Sequence, residues 1–179
     1  MKKIKEKTIE VPQGISVEIE NSRVKMKNEN GEIDRNFNTH AVEMKMRERK
    51  IMLNARKNSK KDSAVLNAIE KHIKNMIVGL SRGFEYKLSI VYSHFPISIA
   101  VKQEMIEINN FLGEKKPRKA KIVGKAKVEV KGKEVNVSGI DLAEVSQTAA
   151  NIESATKVKG KDVRIYQDGI YITSKGEAA

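Results

Sequence analysis

Three histidines, His40, His72 and His94, are the only imidazoles in this 179-residue chain, and each stands alone, without a carboxylate or second histidine at metal-ligand spacing. His72 falls on an apolar helical stripe, where a buried or boundary position is expected. No cysteine occurs, which removes thiolate metal sites, iron–sulfur clusters, disulfides and a cysteine nucleophile. The phosphate loop GxxxxGK[ST], the dinucleotide turn GxGxxG, HExxH and GxSxG are all missing. The acids Glu85, Glu104, Glu107 and Glu114 are scattered, not paired as a metal-dependent nuclease would need. A triad can assemble from distant positions, but nothing in the sequence argues for an enzyme, a cofactor or a small-molecule substrate. The chemistry the sequence does concentrate is cationic. Between Gly113 and Lys133 there are nine Lys or Arg against two Glu. The run opens as GEKKPRKAK, with Lys115, Lys116, Arg118, Lys119 and Lys121 in a segment that Gly113 and Pro117 mark as a loop. Lys125, Lys127, Lys131 and Lys133 follow, and the stretch reads as a flexible basic loop entering a hairpin.

A second cluster follows nearer the C-terminus: Lys157, Lys159, Lys161 and Arg164, with the Tyr166 ring among them. Asp168-Gly169 is a turn signal that would hold this basic loop in one shape, and Ile170–Ile172 reads as a short strand. Lys or Arg in such clusters neutralise phosphates, about one each, and make affinity salt-dependent. The alternative for any charge run is a solvated face. The first 82 residues are also basic, at Arg47, Arg49, Lys50, Arg56, Lys57, Lys60 and Lys61, but acids dilute them. The whole chain carries 35 Lys+Arg against 23 Asp+Glu, a net charge of +12. An excess of that size points to a polyanionic partner.

These clusters hang on a repeated framework. ISVEIENSRVKMKN at 15–28 aligns without a gap with ISIAVKQEMIEINN at 97–110, an offset of 82. In each, apolar and polar residues alternate, break at a polar tetrad and alternate again, which predicts a hairpin with one buried face. The turns fall at Glu20–Arg23 and Lys102–Met105. A second pair of hairpins, 44–54 and 128–138, follows at an offset of 84, with turns at 47–50 and 131–134. Each unit then starts a helix. Ser59 with Asp62 caps the first, whose stripe is Val65, Ile69, His72, Ile73, Met76, Ile77 and Leu80. Asp141 with Glu144 caps the second, whose stripe is Leu142, Val145, Ala149, Ile152 and Ala155. The fold class expected is therefore α+β, two tandem similar small domains, each an antiparallel sheet with one packed helix. The domains are residues 1–82 and 83–179, the second carrying the densest same-sign basic segment.

The core must be built from aliphatic residues: 39% of the chain is hydrophobic, with four Phe, four Tyr and no Trp. So few rings suit recognition of folded RNA by shape and charge better than stacking on single strands. Met1–Lys7 is basic but no apolar stretch follows, so no secretory signal is expected. The apolar runs at 73–80 and 97–101 fall short of the about 20 residues that cross a bilayer. A cytoplasmic protein without a membrane partner is the expectation. A basic protein–protein scaffold, or an RNA-binding protein of another kind, stays open as the competing reading.

The duplicated plan, TIEVPQGI at 8–15, NNFLGEKKPRKAKI at 109–122 and KGKDVRIYQDGIYITSKG at 159–176 together resemble the L-six family of large-subunit ribosomal proteins, in its archaeal/eukaryotic form. The resemblance covers essentially the whole chain. Ser154 stands where the family often has Gln and Tyr166 where Phe is usual. The resemblance implies two similar α+β domains and a binding role in the large ribosomal subunit, supporting translation. It implies contact with large-subunit rRNA near the sarcin–ricin loop and stalk base, mainly through the C-terminal domain, with neighbouring ribosomal proteins as further partners. Carried onto matching positions, Lys115, Lys116, Arg118, Lys119, Lys121, Lys159, Lys161 and Arg164 would contact RNA, while Gly113, Tyr166, Asp168 and Gly169 would shape the loops.

Overall fold

Alternating apolar and polar residues close into antiparallel hairpins along most of this chain, and each set of hairpins is covered by one helix. A computed structural model describes residues 6–37, 40–57 and 59–177, so the outermost few residues of the expected domain ranges lie outside it. The chain divides into two compact units, Met1–Arg82 and Gly83–Ala179.

In the first unit the strands are β1 (Glu6–Glu10), β2 (Ser16–Glu20), β3 (Arg23–Asn28), β4 (Gly31–Asn36), β5 (Val42–Arg47) and β6 (Lys50–Ala55), followed by helix α1 (Lys60–Ser81). They form two three-stranded antiparallel sheets, ordered β2-β3-β4 and β1-β6-β5. Val24 and Met26 from one sheet and Ile51 and Leu53 from the other are fully buried, as are Leu66, Ile73 and Leu80 of α1, which packs on both sheets. Burying each such side chain contributes about 1.5–3 kcal/mol. Ser59 Oγ accepts a hydrogen bond from Asp62 N–H at 3.0 Å and so satisfies an otherwise open donor at the helix start. One expectation is corrected here: His72 is exposed, not on the buried stripe, and its Nδ1 takes a hydrogen bond from Arg35 at 2.9 Å. The buried face runs instead through Leu66, Ile69, Ile73, Met76 and Leu80, placing His72 one residue, about 100° of helix, off its centre.

The second unit repeats this order. Its strands are β7 (Phe84–Val91), β8 (Ser98–Lys102), β9 (Met105–Asn109), β10 (Arg118–Lys121), β11 (Lys127–Lys131) and β12 (Glu134–Gly139), then helix α2 (Leu142–Ala155) and a further strand, β13 (Gly169–Glu177). The sheets are ordered β8-β9-β10 and β11-β12-β7-β13, every pairing antiparallel. β7, β12 and β11 thus occupy the places of β1, β6 and β5, and β13 is an addition without a counterpart in the first unit. Ile106, Ile108, Phe111, Val135, Val137, Val145, Ile152 and Ile170 are fully buried in its core.

The structure refines the sequence reading in three places. Each unit has two small sheets against its helix, where the hairpins implied one. The segment 113–133 is not a single flexible loop, since Arg118–Lys121 form β10 on β9 and Lys127–Lys131 form β11 on β12. The short C-terminal strand extends over nine residues, with its register shifted between Ile172 and Ser174. No helix among the described residues is long and apolar enough to cross a membrane.

Candidate nucleic-acid interface

The first basic segment leaves β9 through a tight turn. Asn110, Leu112 and Gly113 all have positive φ, and Phe111 between them points into the core. Gly113 has a φ of +78°, which favours glycine, and the Phe95 ring lies 3.3 Å from where a Cβ would be, a tight contact. Lys115 and Lys116 project from the turn, exposed, without an ion pair to any described residue. In β10, Ala120 is buried while Lys119 and Lys121 alternate outward. Glu107 on β9 holds Lys102 at 2.7 Å and stands 4.0 Å from Lys119; hydrogen bonding from Lys102 is the main reason its carboxyl stays below the usual glutamate range.

Arg118 is different, because its hydrogen-bonding groups are engaged within the protein. Nε and Nη2 hold the Glu114 carboxylate at 2.8 and 2.6 Å, and Nη1 donates to the carbonyls of Ala155 and Lys157 at 2.9 and 3.1 Å. The guanidinium lies 4.2 Å from the Phe111 ring centroid. The Arg118 hydrogen bond, foremost, and the charges of Arg118 and Lys161 hold the Glu114 carboxyl below its ordinary range. α2 has no basic residue in its last turn, so Arg118 supplies the cation that the helix C-terminus favours. It thereby ties the first basic segment to the place where the second begins.

The second segment, residues 157–168, has no strand or helix of its own. Thr156 ends α2: its Oγ1 donates to the Glu153 carbonyl and accepts from Ile170 N–H at 2.9 Å. Asp162 folds the tip, its Oδ1 accepting from Arg164 N–H and its carbonyl from Tyr166 N–H, both at 2.9 Å. The Arg164 side chain is 91% exposed between Val163 and Ile165, each 64% exposed. Lys157 and Lys159 are exposed without ion pairs to described residues. Lys161 Nζ sits 4.4 Å from the Tyr166 ring centroid, and the His94 ring stacks on the same tyrosine at 4.9 Å.

Asp168 closes the segment from inside the protein, fully buried. It accepts hydrogen bonds from Ser93 N–H at 3.1 Å, His94 N–H at 3.3 Å and His94 Nδ1 at 3.1 Å. Burial alone pushes this carboxyl up, but the three hydrogen bonds and the charge of His94 outweigh it and hold the group below the usual aspartate range. Beside it the Tyr171 ring lies over Gly169, 2.9 Å from where a Cβ would stand, and Tyr171 Oη donates to the Gln167 carbonyl at 3.1 Å. The structure therefore brings the two predicted clusters onto one unit and joins them through Arg118. The sequence did not show His94 and Ser93 as partners of Asp168, about 75 positions away; only the Asp-Gly turn pointed there at all. No group of three or more His, Asp or Glu among the described residues is placed to hold a metal.

Exposed lysines without ion pairs to described residues, on a braced frame, are the arrangement expected of a binding protein for polyanions. The class and the duplicated fold agree with the comparisons. The chain matches the family model described as Ribosomal protein L6 over residues 11–83 and 95–169, one span in each unit, and it belongs to that family. It is 47% identical over 167 residues to the large ribosomal subunit protein uL6 of Methanobrevibacter smithii, covering 93% of this chain and 94% of the relative. The uL6 of Methanosarcina mazei is 46% identical over 169 residues, covering 94% and 96%. That of Ignicoccus hospitalis is 42% identical over 173 residues, covering 93% and 92%.

Proposed function

We propose that this protein is a structural, non-enzymatic constituent of the large ribosomal subunit that binds large-subunit rRNA through its second unit, near the sarcin–ricin loop and stalk base. Family membership supports the ribosomal assignment. The observation that carries the choice of surface is the convergence of two lysine-rich segments on one frame, with Lys115, Lys116, Lys121, Lys157 and Lys159 left without ion pairs to described residues. Lys115, Lys116, Lys119, Lys121, Lys159, Lys161 and Arg164 meet RNA phosphates. Arg118, with its donors engaged, serves as a brace, and Gly113, Tyr166, Asp168 and Gly169 set the shape of the loops. Neighbouring ribosomal proteins complete the environment.

The test is salt-dependent binding to a large-subunit rRNA transcript. Replacing Lys115, Lys116, Lys119 and Lys121 together by Ala should weaken binding and flatten the plot of log affinity against log salt by about 2–4 units, on the scale of just under one per lost phosphate contact. Equal slopes for variant and wild type would overturn the choice of surface. In a cell lysate, the protein should sediment with the large subunit at low salt. Sedimentation as a free small protein at low and high salt alike would overturn the ribosomal reading.

A further inference from the structure

The residues joining β7 to β8, Tyr92–Ile97, touch both basic segments. Phe95 packs against Gly113, and the Pro96 carbonyl accepts from Asn110 Nδ2 at 3.0 Å, which fixes the turn before Lys115. Two residues earlier, Ser93 and His94 supply, among the described residues, the three hydrogen bonds that reach the Asp168 carboxylate, and the His94 ring covers Tyr166. His94 thus holds the second segment at two points, one buried and one on its surface.

We propose that His94 is the positioning residue of this interface, latching residues 157–168 to the β7–β8 linker through Asp168 and Tyr166 so that Lys159, Lys161 and Arg164 are presented in one arrangement. The proposal rests on the RNA-binding reading for its purpose, but the latch itself is a property of the free protein. Segment 157–168 has no ladder of its own to fix it. The Asp162 turn folds its tip, but the segment is held to the rest of the unit by tethers near its ends: Arg118 to the Lys157 carbonyl, Tyr171 to the Gln167 carbonyl, and the Asp168 cluster. A buried carboxylate stripped of one donor is left under-satisfied, and the Tyr166 ring without its stacked neighbour loses its contact with the β7–β8 linker. Unlatched, the cations of the segment must be ordered on binding, and that ordering lowers affinity. His94 itself is 36% exposed at its side chain and acts through the segment, not on RNA. The charged and titratable groups around it are Asp168 and Tyr166, with Lys161 over that ring and Glu114 electrostatically linked to Lys161.

The experiment compares the intact wild-type chain with His94→Ala, His94→Asn and Tyr166→Leu. Asn offers an amide N–H near the place of Nδ1 but no ring, so it separates the hydrogen bond from the stack. Trypsin cleavage is followed by mass spectrometry under native conditions, since Lys157, Lys159, Lys161 and Arg164 are all cleavage sites inside the segment. His94→Ala should accelerate cleavage at these four sites about tenfold or more while cleavage in the first unit stays unchanged, with His94→Asn and Tyr166→Leu in between. In parallel, affinity for a Methanobrevibacter smithii large-subunit rRNA transcript should fall about tenfold for His94→Ala and partly recover for His94→Asn. Wild-type cleavage rates at the four sites in the folded variants would overturn the latch. So would acceleration spread evenly over both units, which marks a merely structural residue. If His94→Ala does not fold, His94→Asn and Tyr166→Leu decide by the same criterion. Failure of the wild type to bind the transcript would sink the RNA reading while the proteolysis result on the latch stands.

Discussion

Replacing Arg118 by Ala isolates the brace between the two basic segments. The change removes two hydrogen bonds from a charged donor to the Ala155 and Lys157 carbonyls, the paired contact with Glu114 and the guanidinium over Phe111. Hydrogen bonds to charged groups contribute about 1.5–3 kcal/mol when buried. Here one of the two is exposed, so together they contribute little more than a single such bond, about 1.5–2.5 kcal/mol. The ring contact adds about 0.5–1 kcal/mol. The Glu114 pair, with that carboxylate 41% exposed, adds about 0.2–1 kcal/mol. The expected loss is therefore about 2–4 kcal/mol, a large share of the about 5–15 kcal/mol that a domain has in total. Arg118→Lys keeps the charge but not the planar fork that spans three partners, and should recover about half. The assay is urea unfolding followed by tyrosine fluorescence. With no Trp in the chain and all four tyrosines, Tyr86, Tyr92, Tyr166 and Tyr171, in the second unit, the signal reports that unit alone. The midpoint should drop at an unchanged slope. A loss within about 0.5 kcal/mol, the scale of an ordinary surface substitution, would refute the reasoning and return Arg118 to the set of free phosphate contacts.

Two further predictions concern the same unit. Because the folded Asp168 carboxyl is held below its ordinary value, its contribution to stability is present above the unfolded value of about 3.9 and is lost as pH falls through the folded value. The urea midpoint, read by tyrosine fluorescence from pH 6 down to pH 2, should show that loss in the wild type, and Asp168→Asn should flatten it; identical acid limbs would refute the assignment. Gly124 and Gly132 offer a matched pair, with φ of +58° and +60°. A Cβ at Gly132 meets open space, whereas at Gly124 it would lie 2.0 Å from Glu144 Oε1, displacing the carboxylate that accepts from Lys125 N–H at 2.8 Å. Gly132→Ala should cost about 1–2 kcal/mol of backbone strain, and Gly124→Ala about 1 kcal/mol more for the lost hydrogen bond. Equal urea midpoints for the two variants would show that Glu144 is not held there.

The hairpins that could be read in the sequence are those with a dense apolar face. Val24 and Met26, like Ile106 and Ile108, are fully buried two residues apart, and so alternation marked their strands and even their turns. β1, β4 and β10 hold too few apolar residues to leave such a pattern. In β10 only Ala120 is buried among three cations, and a strand with that content reads as a charge run. The same limit governs the interface. Charge density located both basic segments, because local composition carries it. Spacing could not separate Arg118, whose donors are engaged in the protein, from Lys119 beside it, because the partners at Ala155 and Lys157 lie almost 40 positions away. His94 was visible only as a lone imidazole. Its role depends on a buried carboxylate 74 positions further on, and no periodicity records a contact of that kind.

The place of β13 has a consequence for how the protein is born. In the first unit every strand is complete before α1 is made, so that unit can fold while the remainder is still being synthesised. In the second, β7 waits for a partner that is added last, residues 169–177 pairing back onto residues 84–91. Pairing across that much chain is entropically slow, and Asp168 stands immediately before the late strand. Segment 157–168 therefore gains its shape only near the end of synthesis. A nascent chain would have a finished first unit well before the second basic segment took its final form.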